Sequence, residues 1–190
     1  NVSWNDSVAF SKWLSERESV RCTLPTEAQW EYACRAGTLS TWYTGNDLSA
    51  LEGHAPVEDE KRAIARSHAV DRYQANPFGL HSLYGNVYEW CQDWRNRYSN
   101  DEDSRSVKID PVGGPRTSVR AYRGGGWNRH PYYWRSAARN YSEPDKVAAY
   151  LGFRVAIAIE TSQLPLATTT AAPHDDSDRP SHAVAPFDAS

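Results

Sequence analysis

Methionine is absent from this chain of 190 residues, and cysteine is scarce. The three cysteines, Cys22, Cys34 and Cys91, form an odd and sparse set that argues against a disulfide framework and fits a reducing compartment. No charged-then-apolar leader opens the sequence, yet it begins at Asn1 without methionine. We therefore expect that a native start, and any export signal, lies upstream. The cellular compartment stays open.

Two further absences exclude kinds of partner. No apolar run approaches the roughly 18 residues that a membrane helix needs, so no membrane span is expected. The formal net charge is -3 and the pI is about 6.1, which gives no electrostatic reason to expect a nucleic-acid ligand. The sequence also lacks a nucleotide-binding glycine loop, zinc-ligand spacing and a nucleophile motif. A hydrolase is therefore not indicated.

Two amphipathic helices are predicted near the beginning of the chain. The first spans residues 2–18, with Ser3 or Asn5 as its cap. Thr26 opens the second with the spacing of a capping box, and Gly37 ends it. The apolar residues expected in the core are Ala9, Phe10, Trp13 and Leu14 on the first helix and Trp30, Ala33 and Cys34 on the second.

Short strands and many loops follow the helices. Residues 118–122 predict a strand, and residues 151–159 predict a longer one because apolar residues alternate along it. Residues 160–190 are rich in Thr, Ala, Pro and Asp and bury too little apolar surface to fold, so we expect a disordered tail. Residues 1–159 are thus predicted to form one irregular α+β domain. The apolar face of the longer strand would consist of Phe153, Val155, Ile157 and Ile159.

The richest stretch of the sequence is residues 123–155. Three glycines, Gly124 to Gly126, lead into a segment in which tryptophan and tyrosine alternate with Asn, Arg and His. Tyr and Trp offer wide contact areas at low entropic cost, which suits a binding surface. Two interpretations stay open from composition: these aromatic residues form a binding surface, or they fill a loop-rich core.

Several short motifs occur along the chain in a fixed order. Together they resemble the formylglycine-generating enzyme family, also called the sulfatase-modifying factor domain, over residues 2–158. The first strands of that family are expected upstream of this sequence. The resemblance implies an irregular, C-type-lectin-like α+β fold with little regular secondary structure. The motifs that carry it are residues 24–33, 76–80, 85–90, 123–127, 135–139 and 152–154.

The resemblance implies an oxidation whose metal ligands are missing here. Enzymes of the family convert a sulfatase cysteine to formylglycine with oxygen and a copper ion held by two cysteines. The matching interval, residues 126–134, contains no cysteine, so copper is not expected. We interpret Cys22, Cys34 and Cys91 as buried, inert thiols. A copper site built from His130 and neighbouring tyrosines is the open alternative.

The resemblance also implies a calcium site around the Gly-Asn-x-x-Glu-Trp motif. The matching residues are Ser82, Gly85, Val87 and Glu89. Calcium takes about six to eight oxygen ligands, which carbonyls and a carboxylate supply. Ser82 stands where the family usually has asparagine. The alternative is that Asn86 supports a turn while Glu89 pairs with an arginine.

The resemblance extends to the variable proteins of diversity-generating retroelements, whose C-terminal segments vary at positions encoded by adenine-containing codons. It implies a non-catalytic domain that displays residues 127–150 as an aromatic and polar surface to a protein or cell-surface ligand. Trp127 and Trp134 are predicted ligand-binding residues. The candidate variable positions are Asn128, Arg129, His130, Tyr132, Tyr133, Tyr141, Ser142, Glu143, Lys146, Ala148, Ala149 and Tyr150. Glu143 and Lys146 fit least, because adenine changes in an Asn codon do not reach them.

Two other functions stay open. The first is an enzyme, either a formylglycine-generating oxidoreductase or a relative that uses another reactive centre. The second is a non-catalytic accessory domain whose upstream region holds the activity.

Overall fold

The computed structural model describes residues 1–59, 62–63, 66–97 and 111–157. Its contacts divide the chain into two units, Asn1–Ala158 and Ile159–Ser190. The second unit, which contains the predicted tail, lies outside the described residues. All of the described residues belong to the first unit.

Both predicted helices are present with their predicted caps. Helix α1 spans Trp4–Glu18 and helix α2 spans Glu27–Arg35. The side chains of Ser3 and Thr26 each accept a backbone N–H from the third helical residue and complete a capping box. Gly37 follows α2 with a left-handed φ of 88°, as predicted for the end of this helix. No described helix combines the length and apolar character that a membrane crossing needs.

The predicted apolar face of α1 is wrong. Ala9 is exposed, and Phe10 and Trp13 are 43% and 48% exposed, whereas the buried residues of the helix are Ser7 and Ser11. Each serine hydroxyl donates to the carbonyl four residues earlier, so its polarity is satisfied within the helix. Ser7 and Ser11 are small and their hydroxyls are bonded within the helix, so they can pack against the rest of the domain. The larger rings of Phe10 and Trp13 are partly exposed to solvent instead.

The strands of the described residues are β1 (Cys22–Thr23), β2 (Val57–Asp59), β3 (Arg62–Ala63), β4 (Tyr88–Trp94), β5 (Arg120–Arg123), β6 (Asn140–Ser142), β7 (Leu151–Phe153) and β8 (Ala156–Ile157). A mixed sheet with strand order β6–β5–β4–β7 forms the centre of the domain. Strand β4 pairs with β5 in antiparallel fashion and with β7 in parallel, and β5 pairs with β6 in antiparallel fashion. Strands β1 with β8 and β2 with β3 form two smaller antiparallel pairs. Among the described residues, the 3₁₀ helices Leu48–Leu51 and Pro131–Trp134 lie in the connections.

The single long strand predicted over residues 151–159 is divided into β7 and β8. Strand β7 pairs with β4, whereas β8 pairs with β1, so the chain changes partner between them. The predicted alternating face fails as a result: Leu151 is buried and Ile157 is 62% exposed. Ile159 lies outside the described residues.

The central sheet separates two apolar clusters. Trp90 and Cys91 are successive residues of β4 and belong to different clusters, because neighbouring side chains of a strand point to opposite faces. One cluster centres on Trp30 of α2 and includes Trp134, and the other includes Leu151 of β7. Residues 123–155 thus contribute buried side chains to both sides of the sheet.

Candidate functional site

Ion pairs anchor the segment of residues 123–155 to α2. Arg123, which is 1% exposed, donates from Nε to Oε1 of Glu27 at 2.9 Å and from an Nη to Oε2 of Glu31 at 2.8 Å. Arg139 also pairs with Glu27. Burial opposes the charge of Glu27, but the hydrogen bond from Arg139 and the charges of both arginines hold the pKa of Glu27 below its ordinary value. The start of the segment and Arg139 near its middle are therefore fixed to α2 independently of the side chains between them.

The 3₁₀ helix Pro131–Trp134 displays two tyrosines. Its cap is His130, whose Nδ1 accepts the backbone N–H of Tyr132 at 3.1 Å. Residues three apart lie on one side of a 3₁₀ helix, so Pro131 and Trp134 share the buried side. Tyr132 and Tyr133 consequently project outwards and are 59% and 57% exposed.

Trp134 was predicted on the ligand-binding surface, and that placement is wrong. Its side chain is 0% exposed, and its Nε1 donates to the carbonyl of Gly126 at 3.2 Å. The ring fits because a Cβ added at Gly125 would overlap it and one added at Gly85 would lie 3.0 Å from it. Trp134 is therefore part of the core that supports the exposed tyrosines.

A cluster of tyrosine rings lies beside the 3₁₀ helix. Tyr88 packs edge to face with Tyr122 at 4.9 Å and with Tyr150 at 6.1 Å between ring centroids. Burial raises the pKa of Tyr88, and the positive charge of Arg129 opposes that rise. Tyr150 and Arg129 were predicted from the sequence as surface residues of the binding segment, whereas Tyr88 and Tyr122 were not predicted as part of the site. The available signal was the alternation of aromatic residues along β4, where Tyr88 and Trp90 share a face.

Tyr141 lies on the edge strand β6 and is 55% exposed. The guanidinium carbon of Arg95 lies 5.3 Å from the centroid of its ring. The next residue, Ser142, donates to a carboxylate oxygen of Glu143 at 3.0 Å. Of the other predicted surface residues, those exposed are Asn128, Arg129, His130, Glu143, Lys146 and Ala149, and those partly exposed are Trp127, Ser142, Ala148 and Tyr150.

The structure brings the predicted residues into more than one group. Arg129, Tyr133 and Tyr150 all lie near enough to Tyr88 to influence its pKa. Tyr132 instead faces the buried Trp42 edge to face, at 6.5 Å between centroids. Trp127 and Ala149 line an open cleft of about 460 Å³. We call the exposed part of residues 127–150 the aromatic face.

All three cysteines are buried. Cys34 and Cys91 are 0% exposed and Cys22 is 7% exposed, which confirms their predicted burial. Burial raises the pKa of Cys34 to about 12 and also raises the pKa of Cys91. Thiolates, not thiols, bind copper and act as nucleophiles, so Cys34 and Cys91 are poorly suited to either role at neutral pH.

The carboxylate at the predicted calcium site is engaged by other groups. Both oxygens of Glu89 accept hydrogen bonds from Arg154, at 2.6 and 2.7 Å, and Oε2 also accepts from Trp30 Nε1 at 2.6 Å. Asn86 has a left-handed φ of 54°, and its carbonyl accepts the N–H of Trp127 at 2.8 Å. The alternative interpretation of both residues is confirmed. Among the described residues no three His, Cys, Asp or Glu side chains cluster as a metal site, and a calcium site partly built from carbonyls stays a prediction.

The architecture defines the class of protein. Two early helices, a small curled mixed sheet and extensive loops form an irregular α+β domain of the C-type-lectin-like kind. Residues 1–159 match the family described as sulfatase-modifying factor enzyme 1-like domain. The chain belongs to this family.

Known relatives and solved structures agree with this assignment. The formylglycine-generating enzyme of Thermomonospora curvata is 36% identical over 169 residues, which cover 82% of this chain and 54% of the relative. The Bos taurus enzyme of the same name is 37% identical over 172 residues, covering 82% and 42%. The chain thus spans about half the length of these curated relatives. Treponema denticola variable protein 1 matches in structure with a TM-score of 0.73 and 26% identity, covering 82% of this chain and 69% of that one.

Proposed function

We propose that this domain binds a protein or cell-surface ligand through the aromatic face and does not catalyse a reaction. The observation that carries the proposal is the exposure of Tyr132, Tyr133 and Tyr141, at 59%, 57% and 55%. Exposed aromatic rings that are held on a rigid scaffold are typical of binding surfaces, where they supply contact area at low entropic cost. The exposed rings lie between buried anchors, Arg123 at the start of the segment and Leu151 at its end.

Arg123, Arg139, Arg154 and Trp134 hold the segment of residues 123–155 in place, and we call these residues the frame. The frame is separate from the exposed residues of the aromatic face, which supports the proposal that the exposed side chains can be exchanged. The frame arginines and Trp134 face the interior, whereas all twelve candidate variable positions are exposed or partly exposed.

A change at an exposed position such as Asn128 or Tyr133 leaves the core unaltered, whereas Ala148 and Tyr150 pack against the cluster that contains Trp90. The structural likeness to a variable protein supports the same proposal, because a diversified binding protein needs this separation.

Missing copper ligands support a non-catalytic role. The interval of residues 126–134 has no cysteine, and the three cysteines elsewhere are buried as thiols. The ligands with which related enzymes hold copper are therefore not available at the matching place.

Selection from a displayed library of random peptides tests the proposal. The full chain is immobilised, and recovered peptides are titrated against wild type and the double variant Tyr132→Ala/Tyr133→Ala. We expect the variant to lose at least about tenfold in affinity, because removing two central aromatic contacts costs more than about 1.4 kcal/mol. Its melting temperature should stay within a few degrees of wild type, since both rings are exposed.

The matched control is Tyr32→Ala. Tyr32 is 69% exposed on α2, where it contacts Phe78 rather than the aromatic face. Peptides that bind all three proteins equally, or a selection that recovers no binding peptide, would contradict the proposal. Unfolding of the double variant would show that the two tyrosines serve the core instead.

The second candidate function is formylglycine generation, and relatives bearing that name at 36% and 37% identity favour it. It is tested by incubating the full chain with a Cys-x-Pro-x-Arg peptide, copper and oxygen. We expect the peptide mass to stay unchanged, because the matching interval has no thiolate pair. An aldehyde product would overturn the non-catalytic proposal.

A further inference from the structure

Charge is unevenly distributed along the chain. The whole sequence has a formal net charge of -3, yet residues 111–157 contain eight arginine and lysine residues and only two acidic ones, a formal charge of +6. The region that builds the aromatic face is therefore cationic within an acidic protein. Local charge of this kind selects the partners that approach it.

Three of these cations serve the frame. Arg123 and Arg139 pair with Glu27, and Arg154 pairs with Glu89. Within the part of the chain that the structure describes, four others form no ion pair: Arg116, Arg120, Arg129 and Arg135. None of these four guanidinium groups lies within ion-pair distance of a described carboxylate, although the charge of Asp93 acts on Arg120.

Two of these four arginines flank the exposed tyrosines. The guanidinium carbon of Arg135 lies 5.4 Å from the ring centroid of Tyr132, and Arg129, which is exposed, immediately precedes the His130 cap of the 3₁₀ helix that carries Tyr132 and Tyr133. A guanidinium stacked on a ring keeps its N–H edges free in the plane, where a carboxylate accepts two parallel hydrogen bonds. The aromatic ring fixes the cation, so little side-chain entropy is lost when an anion binds.

We infer that the ligand of the aromatic face is an acidic protein segment, whose Asp or Glu carboxylates bind Arg129 and Arg135 while its other side chains contact the tyrosines. This inference rests on the proposed function and names its partner. The unpaired arginines are few and interleaved with tyrosine rings. Such a pattern fits isolated carboxylates in a mixed protein surface better than the closely spaced phosphates of a nucleic acid.

Fluorescence anisotropy with labelled poly-L-glutamate of about 20 residues tests the inference on the full chain. We expect binding at about 20 mM NaCl that is lost at about 300 mM, because such contacts between exposed charges are screened by salt. The double variant Arg129→Gln/Arg135→Gln should bind at least about tenfold more weakly. The control is Arg17→Gln on α1, whose guanidinium also stacks on a ring, 5.3 Å from Trp13, and it should bind as wild type does.

Three results would overturn the inference: no binding of poly-L-glutamate, equal binding by the Arg129→Gln/Arg135→Gln variant, or tighter binding of single-stranded DNA of equal length. The peptides recovered by library selection separate this failure from that of the proposed function. Peptides that need Tyr132 and Tyr133 but lack an excess of Asp and Glu would refute the acidic ligand and leave the binding function intact. Peptides indifferent to both variants would refute both.

Discussion

Single residues decide which aromatic side chains of this domain are available to a ligand. Tyr132, Tyr133 and Trp134 are adjacent and similar in type, yet two are exposed and one is buried. The buried ring depends on Gly125, whose φ of +81° and missing Cβ leave the space that the indole fills. A change at this glycine should therefore disturb the base of the aromatic face.

We expect Gly125→Ala to lower the free energy of unfolding by about 3 kcal/mol or more, through overpacking against Trp134 added to left-handed backbone strain. The control is Gly37→Ala, because Gly37 has a similar φ of +88° with nothing within 4 Å of an added Cβ. The control should lose only about 1 kcal/mol. Urea unfolding measures both, and equal losses would show that Trp134 is not tightly packed there.

For single residues, the sequence predicted that aromatic side chains would be important, but it predicted less well which of them are exposed and which are buried. Exposure of Tyr132 and Tyr133 followed the prediction, but Trp134 did not, because the three-residue period of a 3₁₀ helix was not visible in the sequence. Tyr88 and Tyr122 were missed because their approach depends on pairing between β4 and β5, which are distant in sequence.

Elements were predicted best where local chemistry determines them. The capping box at Thr26 and the cap at Ser3 were predicted from local sequence alone, whereas the single strand over residues 151–159 was wrong because its partners lie far away in the chain. The attachment of the segment to α2 through Glu27 was equally invisible. A buried carboxylate with two arginine partners should nevertheless dominate the acid response of this region.

Glu27→Gln should destabilise the domain by about 3–5 kcal/mol at pH 7, because it leaves Arg123 buried with less compensation. The lowered pKa of Glu27 stabilises the folded state fully above the unfolded value of about 4.3, and this contribution is lost as pH falls through the folded pKa. Wild type should therefore lose more stability below about pH 4.3 than the variant does. Thermal unfolding across pH measures the difference.

Asp93 provides an internal check on that comparison. Burial raises its pKa and the charge of Glu27 adds to that rise, so its own contribution to stability changes in the opposite direction as pH falls and is smaller in the Glu27→Gln variant. Asp93 accepts the backbone N–H of residue 27 at 2.8 Å, a bond that the Glu27→Gln variant retains. Parallel pH curves for wild type and variant would therefore refute the role of Glu27 specifically.

For the whole molecule, the order of short motifs was enough to predict the family and its irregular α+β fold. The sequence did not predict which residues form the buried frame and which form the exposed aromatic face. That division depends on which side chains face inwards, and only the structure shows this. If the aromatic face is diversified, its gene should preserve a record of that process. The prediction concerns DNA rather than the protein.

We expect a near-copy of the DNA that encodes residues 123–155 beside a reverse-transcriptase gene. The copy should differ from the coding sequence only at adenines, and the differences should fall at exposed positions such as Asn128, Tyr132 and Tyr141 rather than at Arg123 or Trp134. Sequencing the flanking DNA tests this. Absence of both features would mean that the aromatic face is fixed, although it would leave binding itself possible.

The most direct test of the account is a hydrogen–deuterium exchange footprint of a peptide recovered by library selection. We predict slower amide exchange in residues 128–133 and 141–149 of the full chain when the peptide is bound. Two other exposed aromatic patches serve as internal controls, Phe10 with Trp13 on α1 and Tyr32 with Phe78. Protection confined to either patch, with none on the aromatic face, would contradict the central claim.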